Sequence, residues 1–218
     1  MVRARSHQVY TQNIGKNGKN MNKEKSEKIK KKLSESSVGI AGLGGLGSNA
    51  AVALARAGIG RLVLVDFDKI EEKNLTRQYY FLDQIGKSKT IALQDNIKKI
   101  NPKVTIDSYD EKLEKGSMEK RFRNVDVIIE ALDSAETKAA FIEEILTKLP
   151  NKPVVAASGV AGYGHSDRIT TKRLGNLYMC YDENAPSSDD DVLMAPRVAL
   201  MANWEANLAL EIILGEDK

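Results

Sequence analysis

Val38-Gly39-Ile40-Ala41-Gly42-Leu43-Gly44-Gly45-Leu46-Gly47-Ser48 is the stretch on which the fold of this chain turns. Val38 to Ala41 reads as a buried strand, and it runs straight into G-x-G-x-x-G. An Ala/Leu-rich helix is expected from Leu46 to Ala57, closed by Gly58. Glycine is needed in such a turn because the backbone must bend tightly and come close to a phosphate. The helix after it offers unpaired N–H groups and a partial positive charge to an anion. Arg61 to Asp66 is a second apolar strand, and Asp66 lies nineteen residues after Gly47, where a carboxylate can accept hydrogen bonds from ribose hydroxyls. Gly42, Gly44, Gly45, Gly47 and Asp66 together read as a site for an adenine nucleotide.

The alternation continues outward from there. Lys89 to Ile100 has helical spacing and stops before Asn101-Pro102, Val104 to Tyr109 is strand-like, and Val125 to Glu130 is an apolar strand. Ala135 to Leu149 is helical and Pro153 to Ala157 is another strand. This order predicts an α/β, Rossmann-like, doubly wound and mostly parallel sheet with flanking helices, in a single domain, with ligands beyond the carboxyl ends of the strands. After Gly159 the pattern loosens: an outer strand over Arg168 to Leu174, an acidic loop over Tyr181 to Asp191, and a closing apolar helix over Ala195 to Leu214. At the other end, Met1 to Asn20 is polar and without hydrophobic period, and a short helix is expected over Ser26 to Leu33. The division expected is a flexible basic arm over 1–25 and the nucleotide-binding domain over 26–218.

With 218 residues, 42% of them hydrophobic, the chain can bury one good-sized core. Cys180 is the single cysteine, so neither an internal disulfide nor a four-cysteine zinc site can form from this chain alone. No apolar run is long enough to cross a bilayer and the N-terminus has no signal-like core, so a cytoplasmic protein with no membrane partner is expected. The net charge of +3 is unevenly spread: residues 1–32 carry +8 and the rest −5. The basic run reads as a solvated tail, and the acidic remainder argues against a nucleic-acid partner.

The segment after Asp66 separates nucleotide chemistries. Asp68-Lys69-Ile70-Glu71-Glu72-Lys73-Asn74-Leu75-Thr76-Arg77-Gln78 precedes Ile85-Gly86-Lys87-Ser88-Lys89. A hydride-transfer enzyme needs a pyrophosphate turn and a substrate domain, whereas a nucleotidyl transferase surrounds a triphosphate with cations. Arg77 and Lys89 are the candidate cations. Together with the glycine turn, the segment from Val38 to Asn101-Pro102, Asp133 and more weakly Met194-Ala195-Pro196-Arg197 resembles the ThiF/MoeB/HesA family of adenylyltransferases that activate ubiquitin-like proteins. The resemblance implies that Asp66 holds the ribose, that Asn74, Arg77 and Lys89 meet the phosphates, and that Asp133 carries Mg²⁺, with Ser134 beside it in the nucleotide site. It implies ATP as co-substrate and a homodimer, its surface near the C-terminal helix. The partner implied is a ubiquitin-like sulfur-carrier protein ending in Gly-Gly, and the compact ThiF-type enzymes of thiamine sulfur transfer are the most similar.

Three departures stand out. The paired C-x-x-C motifs of larger relatives are missing, so no zinc is expected. The arginine-bearing N-terminal stretch of many relatives is represented only by Val9-Tyr10-Thr11-Gln12-Asn13, with Arg3 and Arg5 nearby. Cys180, in a region where some relatives use a reactive cysteine, is a further catalytic candidate beside Arg77, Lys89 and Asp133. A MoeB-like enzyme for molybdopterin synthase, a Rossmann NAD-dependent oxidoreductase and a non-enzymatic module with a retained nucleotide site are the alternatives.

Overall fold

The computed structural model describes residues 16–186 and 192–215. Its first element, helix α1 (Lys16–Ser34), begins ten residues before the Ser26 expected from the sequence and so takes in part of the arm assigned to 1–25. Ile29 and Leu33 anchor it to the core, and the Lys32 ammonium donates to the Leu214 carbonyl at 2.9 Å. Then come β1 (Ser37–Ala41), α2 (Gly45–Ala57), β2 (Arg61–Asp66), α3 (Lys89–Ile100), β3 (Thr105–Asp110), β4 (Val127–Glu130), α4 (Ala135–Lys148) and β5 (Val154–Ser158). The chain ends with β6 (Thr170–Leu174), β7 (Leu177–Tyr181) and α5 (Ala195–Leu214).

The seven strands lie in the order β3-β2-β1-β4-β5-β7-β6, and all neighbours are parallel except the β6–β7 hairpin. From β1 the chain winds outward through β2 to β3, then returns to place β4 on the other side of β1. That reversal opens a crevice at the carboxyl ends of β1 and β4. Alternation along the strands divides the core. Leu62 and Leu64 face α2, α3 and α5, while Val63 and Val65 face the layer that holds Phe122, Phe141 and Ile145. Phe141, on α4, meets Phe122 edge-on with ring centroids 5.4 Å apart.

One apolar face of α5 is buried inside the chain. Met201, Ala202, Ala206 and Ala209 are buried in the same core cluster as α2 and the sheet. Leu200, Trp204, Leu210, Ile212 and Leu214 of the same helix are only partly buried. The exposed apolar residues lie elsewhere, with Phe81, Leu82, Ile85 and Ile91 grouped between β2 and the first turn of α3. Among the described residues no helix is long and apolar enough to cross a membrane.

Candidate functional site

At the end of β1 the chain turns at Gly42, whose φ of +88° belongs to the left-handed region, and a Cβ there would lie 2.6 Å from the Ala131 carbonyl oxygen. Gly44 caps α2 without a side-chain hydrogen bond, so among the described residues no capping side chain takes the first N–H groups of that helix. A Cβ on Gly47 would collide with the Gly42 carbonyl, which is why helix and strand can pack this closely only with glycine. Asp66, at the end of β2, accepts from the Leu43 N–H at 2.6 Å and from the Asp68 N–H at 2.7 Å. Burial pushes its carboxyl above the ordinary value, while Lys89 and those two N–H groups pull the other way.

Arg77 leaves a short helical turn after Glu72–Asn74 and lies against the glycine turn. Its guanidinium donates to the Lys73 carbonyl at 3.2 Å and to the Thr76 hydroxyl at 3.3 Å, so the charge is held at the mouth of the crevice. Asn74 is buried and its side-chain oxygen accepts from the Glu71 N–H at 2.8 Å, which shapes the turn. Lys89, the first residue of α3, is buried, and its ammonium sits 2.7 Å from the Asp68 carboxylate, itself half in solvent. Asp68, left open by the sequence, is thus the group that aims Lys89.

Beyond β4, Asp133 is exposed, and its Oδ1 accepts from the Ser134 N–H at 2.8 Å. Ser134 caps α4 through a long bond from the Thr137 N–H at 3.4 Å. Glu130, fully buried, holds this turn from beneath: it accepts from the Leu132 N–H at 2.8 Å and from the Lys138 ammonium at 2.6 Å. Burial raises its carboxyl, with Lys138 opposing.

These elements enclose one open cleft of about 1290 Å³. Gly42, Gly44, Gly45, Asp66, Asn74, Arg77, Lys89 and Asp133 all line it, whereas Gly47 and Ser134 support it from behind. Gln78 lines it too, and its buried Oε1 has no hydrogen-bond partner among the described residues. The sequence does not single out Gln78, although it stands next to Arg77 in the same motif. The far wall consists of Ser158 to Ala161 with Tyr181 to Glu183, Ala185 and Pro186, and Arg197 pins it from behind. That guanidinium donates to the Gly164 carbonyl at 3.0 Å, to the Gly159 carbonyl at 3.4 Å and to Asp182 at 2.5 Å.

Cys180 does not join the site. It lies on β7 wholly buried beneath α5, donating to the Ala156 carbonyl at 3.5 Å, and burial together with Glu205 pushes its thiol far above the ordinary range. A nucleophilic cysteine needs access and a lowered pKa, and here both are missing. Arg3, Arg5 and the Val9 to Asn13 stretch lie outside the described residues, as does Asp189-Asp190-Asp191.

Compared with known families, residues 7–218 match the ThiF family. The adenylyltransferase and sulfurtransferase UBA4 of Kluyveromyces lactis is 29% identical over 169 residues, covering 74% of this chain and 38% of that protein. The ubiquitin-like modifier-activating enzyme 5 of Dictyostelium discoideum is 38% identical over 112 residues, 45% of this chain and 29% of its own length. The chain thus spans well under half of these relatives. Among solved structures, the ATP complex of the tRNA N6-threonylcarbamoyladenosine dehydratase TcdA of E. coli superposes with a TM-score of 0.80 at 22% identity, covering 90% of this chain and 93% of the other.

Proposed function

This chain belongs to the ThiF family, and from that premise we propose that it is an ATP-dependent adenylyltransferase acting on the C-terminal carboxylate of a ubiquitin-like sulfur-carrier protein. The observation that carries the reading is the convergence on one cleft of a bare helix N-terminus, Asp66, Arg77, Lys89 and Asp133. The tail carboxylate oxygen bonds to the α-phosphorus of ATP, the bond to the β-phosphate oxygen breaks, and pyrophosphate leaves. The attacking carboxylate is already ionised near neutral pH, so no side-chain base is required. Negative charge that builds on the phosphate oxygens meets cations fixed in advance, Arg77 by Lys73 and Thr76, Lys89 by Asp68.

Asp133 suits Mg²⁺. It presents one exposed carboxylate to the cleft, and among the described residues no cluster of three or more His, Cys, Asp or Glu could cage a metal. Phosphates and waters would complete the coordination. When bound, the ion would neutralise charge on the phosphate oxygens.

The sulfur carrier of thiamine biosynthesis is the partner this reading prefers, a MoeB-like role the next, with the enzyme working as a homodimer in the cytoplasm. The test is pyrophosphate exchange into ATP with the purified protein, Mg²⁺ and Gly-Gly-ending carriers. Carrier-dependent exchange is expected, falling roughly 100-fold or more in Arg77→Ala and in Asp133→Ala. Absence of exchange with every carrier, joined to tight NAD binding, would favour the oxidoreductase instead.

A further inference from the structure

Residues 43–45 and residues 77–80 are far apart in sequence but laced together side by side. The Tyr80 hydroxyl donates to the Leu43 carbonyl at 2.9 Å. Ser48 Oγ donates to the Gly44 carbonyl at 2.6 Å and accepts from the Tyr79 N–H at 3.0 Å. The side-chain amide of Asn49 donates to the Gly45 carbonyl at 2.7 Å and to the Arg77 carbonyl at 3.0 Å. The carbonyls of Leu43, Gly44 and Gly45 are therefore each taken by a side chain, and two of those side chains also hold the stretch of chain on which Arg77 is carried.

We propose that Asn49 is a positioning residue for Arg77: through its single amide group it fixes the Arg77 backbone to the first residue of α2, so that the guanidinium and the turn N–H groups meet a nucleotide as one rigid unit. The proposal rests on Arg77 acting on the nucleotide. Asn49 is the tie whose loss can be isolated. Ser48 is buried and also braces the helix, and Tyr80 fills core volume, whereas Asn49 is only partly buried and stands on a helix where alanine is the better former.

A carboxylate or methyl group at position 49 leaves the Arg77 carbonyl without this donor, freeing the backbone to shift. Displacement of a catalytic cation by as little as an ångström can cost one to two orders of magnitude in rate. The effect must vanish when the guanidinium is already gone. That requirement separates positioning from a general weakening of the fold.

The experiment is a double-mutant cycle with Asn49→Ala and Arg77→Ala, read in carrier-dependent pyrophosphate exchange and, independently of any carrier, in ATP affinity by calorimetry. Asn49→Ala is expected to lower exchange about 10-fold in the wild-type background, mostly in kcat, and less than about 2-fold in the Arg77→Ala background. Asn49→Asp, which keeps the shape but sets an acceptor against the two carbonyls, should lose at least as much as Asn49→Ala. Equal losses from Asn49→Ala in both backgrounds, or no loss in the first, would overturn the positioning role while leaving that of Arg77 intact. No loss in Arg77→Ala itself would overturn the reading of the site instead, and wild-type protein that binds no ATP would overturn both.

Discussion

Along the near wall of the cleft three side chains share the work of holding three consecutive carbonyls, while along the far wall Arg197 alone holds three carbonyls and a carboxylate. The near wall continues directly from β1 and consists of regular strand, tight turn and helix. The far wall continues from β5 through Gly159, Gly162, Gly164 and His165, all with positive φ, so little of its order comes from secondary structure. One wall distributes its constraint and the other concentrates it. A single substitution should therefore do far more damage on the far side to stability, and far more on the near side to nucleotide binding.

The largest effect expected is from Arg197→Met. It strands Asp182 and the loop carbonyls in a buried setting and should cost about 3 to 5 kcal/mol in urea unfolding, with ATP affinity of the folded protein changed less than about 2-fold. Burial alone would raise the Asp182 carboxyl, but the Asn184 N–H and the Arg197 guanidinium carry it below its ordinary value of 3.8. A lowered native value means the pair stabilises the fold above that pH and fades as pH falls through the lower native one. Wild type should thus lose this contribution in acid, and Arg197→Met should not. An Arg197→Met protein as stable as wild type would show that the far wall has other supports.

Tyr80→Phe tests the distributed side. It removes one of the ties and keeps the ring, so a loss of about 1 kcal/mol and an ATP affinity weakened about 5-fold are expected, by calorimetry on the same preparation. A drop as large as that from Arg197→Met would mean that the near wall also hangs on one residue, and the contrast between the walls would collapse.

The same contrast explains what can be read from the sequence. On the near side the signals are local: β2, α3 and Gly58 as a left-handed cap fall where spacing places them, and Gly42, Asp66, Arg77 and Lys89 come to one cleft. On the far side the pattern predicts the outer strand, beginning two residues early, but its partner β7 reads only as the approach to a loop. Leu174-Gly175-Asn176-Leu177 is a two-residue hairpin connection between strand-like runs, and with Leu174 opposite Leu177 in register that signal is present in the residues. The pairs Lys89–Asp68 and Arg197–Asp182 each join a loop to the first turn of a helix, and no periodicity announces them. Cys180 shows the limit from the other direction. Its residue type suggests chemistry, but only packing against α5 decides its access.

Helix α5 links the walls, because two turns beyond Arg197 it carries Glu205, fully buried with neither carboxyl oxygen hydrogen-bonded among the described residues. Cys180 on β7, Lys138 on α4 and Glu130 on β4 are the titratable groups that act on it or feel its charge. Burial raises the Glu205 carboxyl well above its ordinary value of 4.5, opposed by Lys138 and reinforced by Glu130. The native state thus keeps a proton that the unfolded chain releases, so this residue lowers stability as pH climbs from the ordinary carboxylate value toward the raised native one. Glu205→Gln cannot ionise and should remove that slope. The expected gain over wild type is about 1 kcal/mol larger near pH 8 than near pH 5, measured by urea unfolding at each pH. Glu130 keeps its Lys138 partner in both proteins, so the difference between them reports on Glu205 and its coupling to that pair. Identical slopes in the two would mean that Glu205 finds a charged partner as the fold breathes, and that α5 is less firmly seated beneath the cleft than its packing on α2 implies.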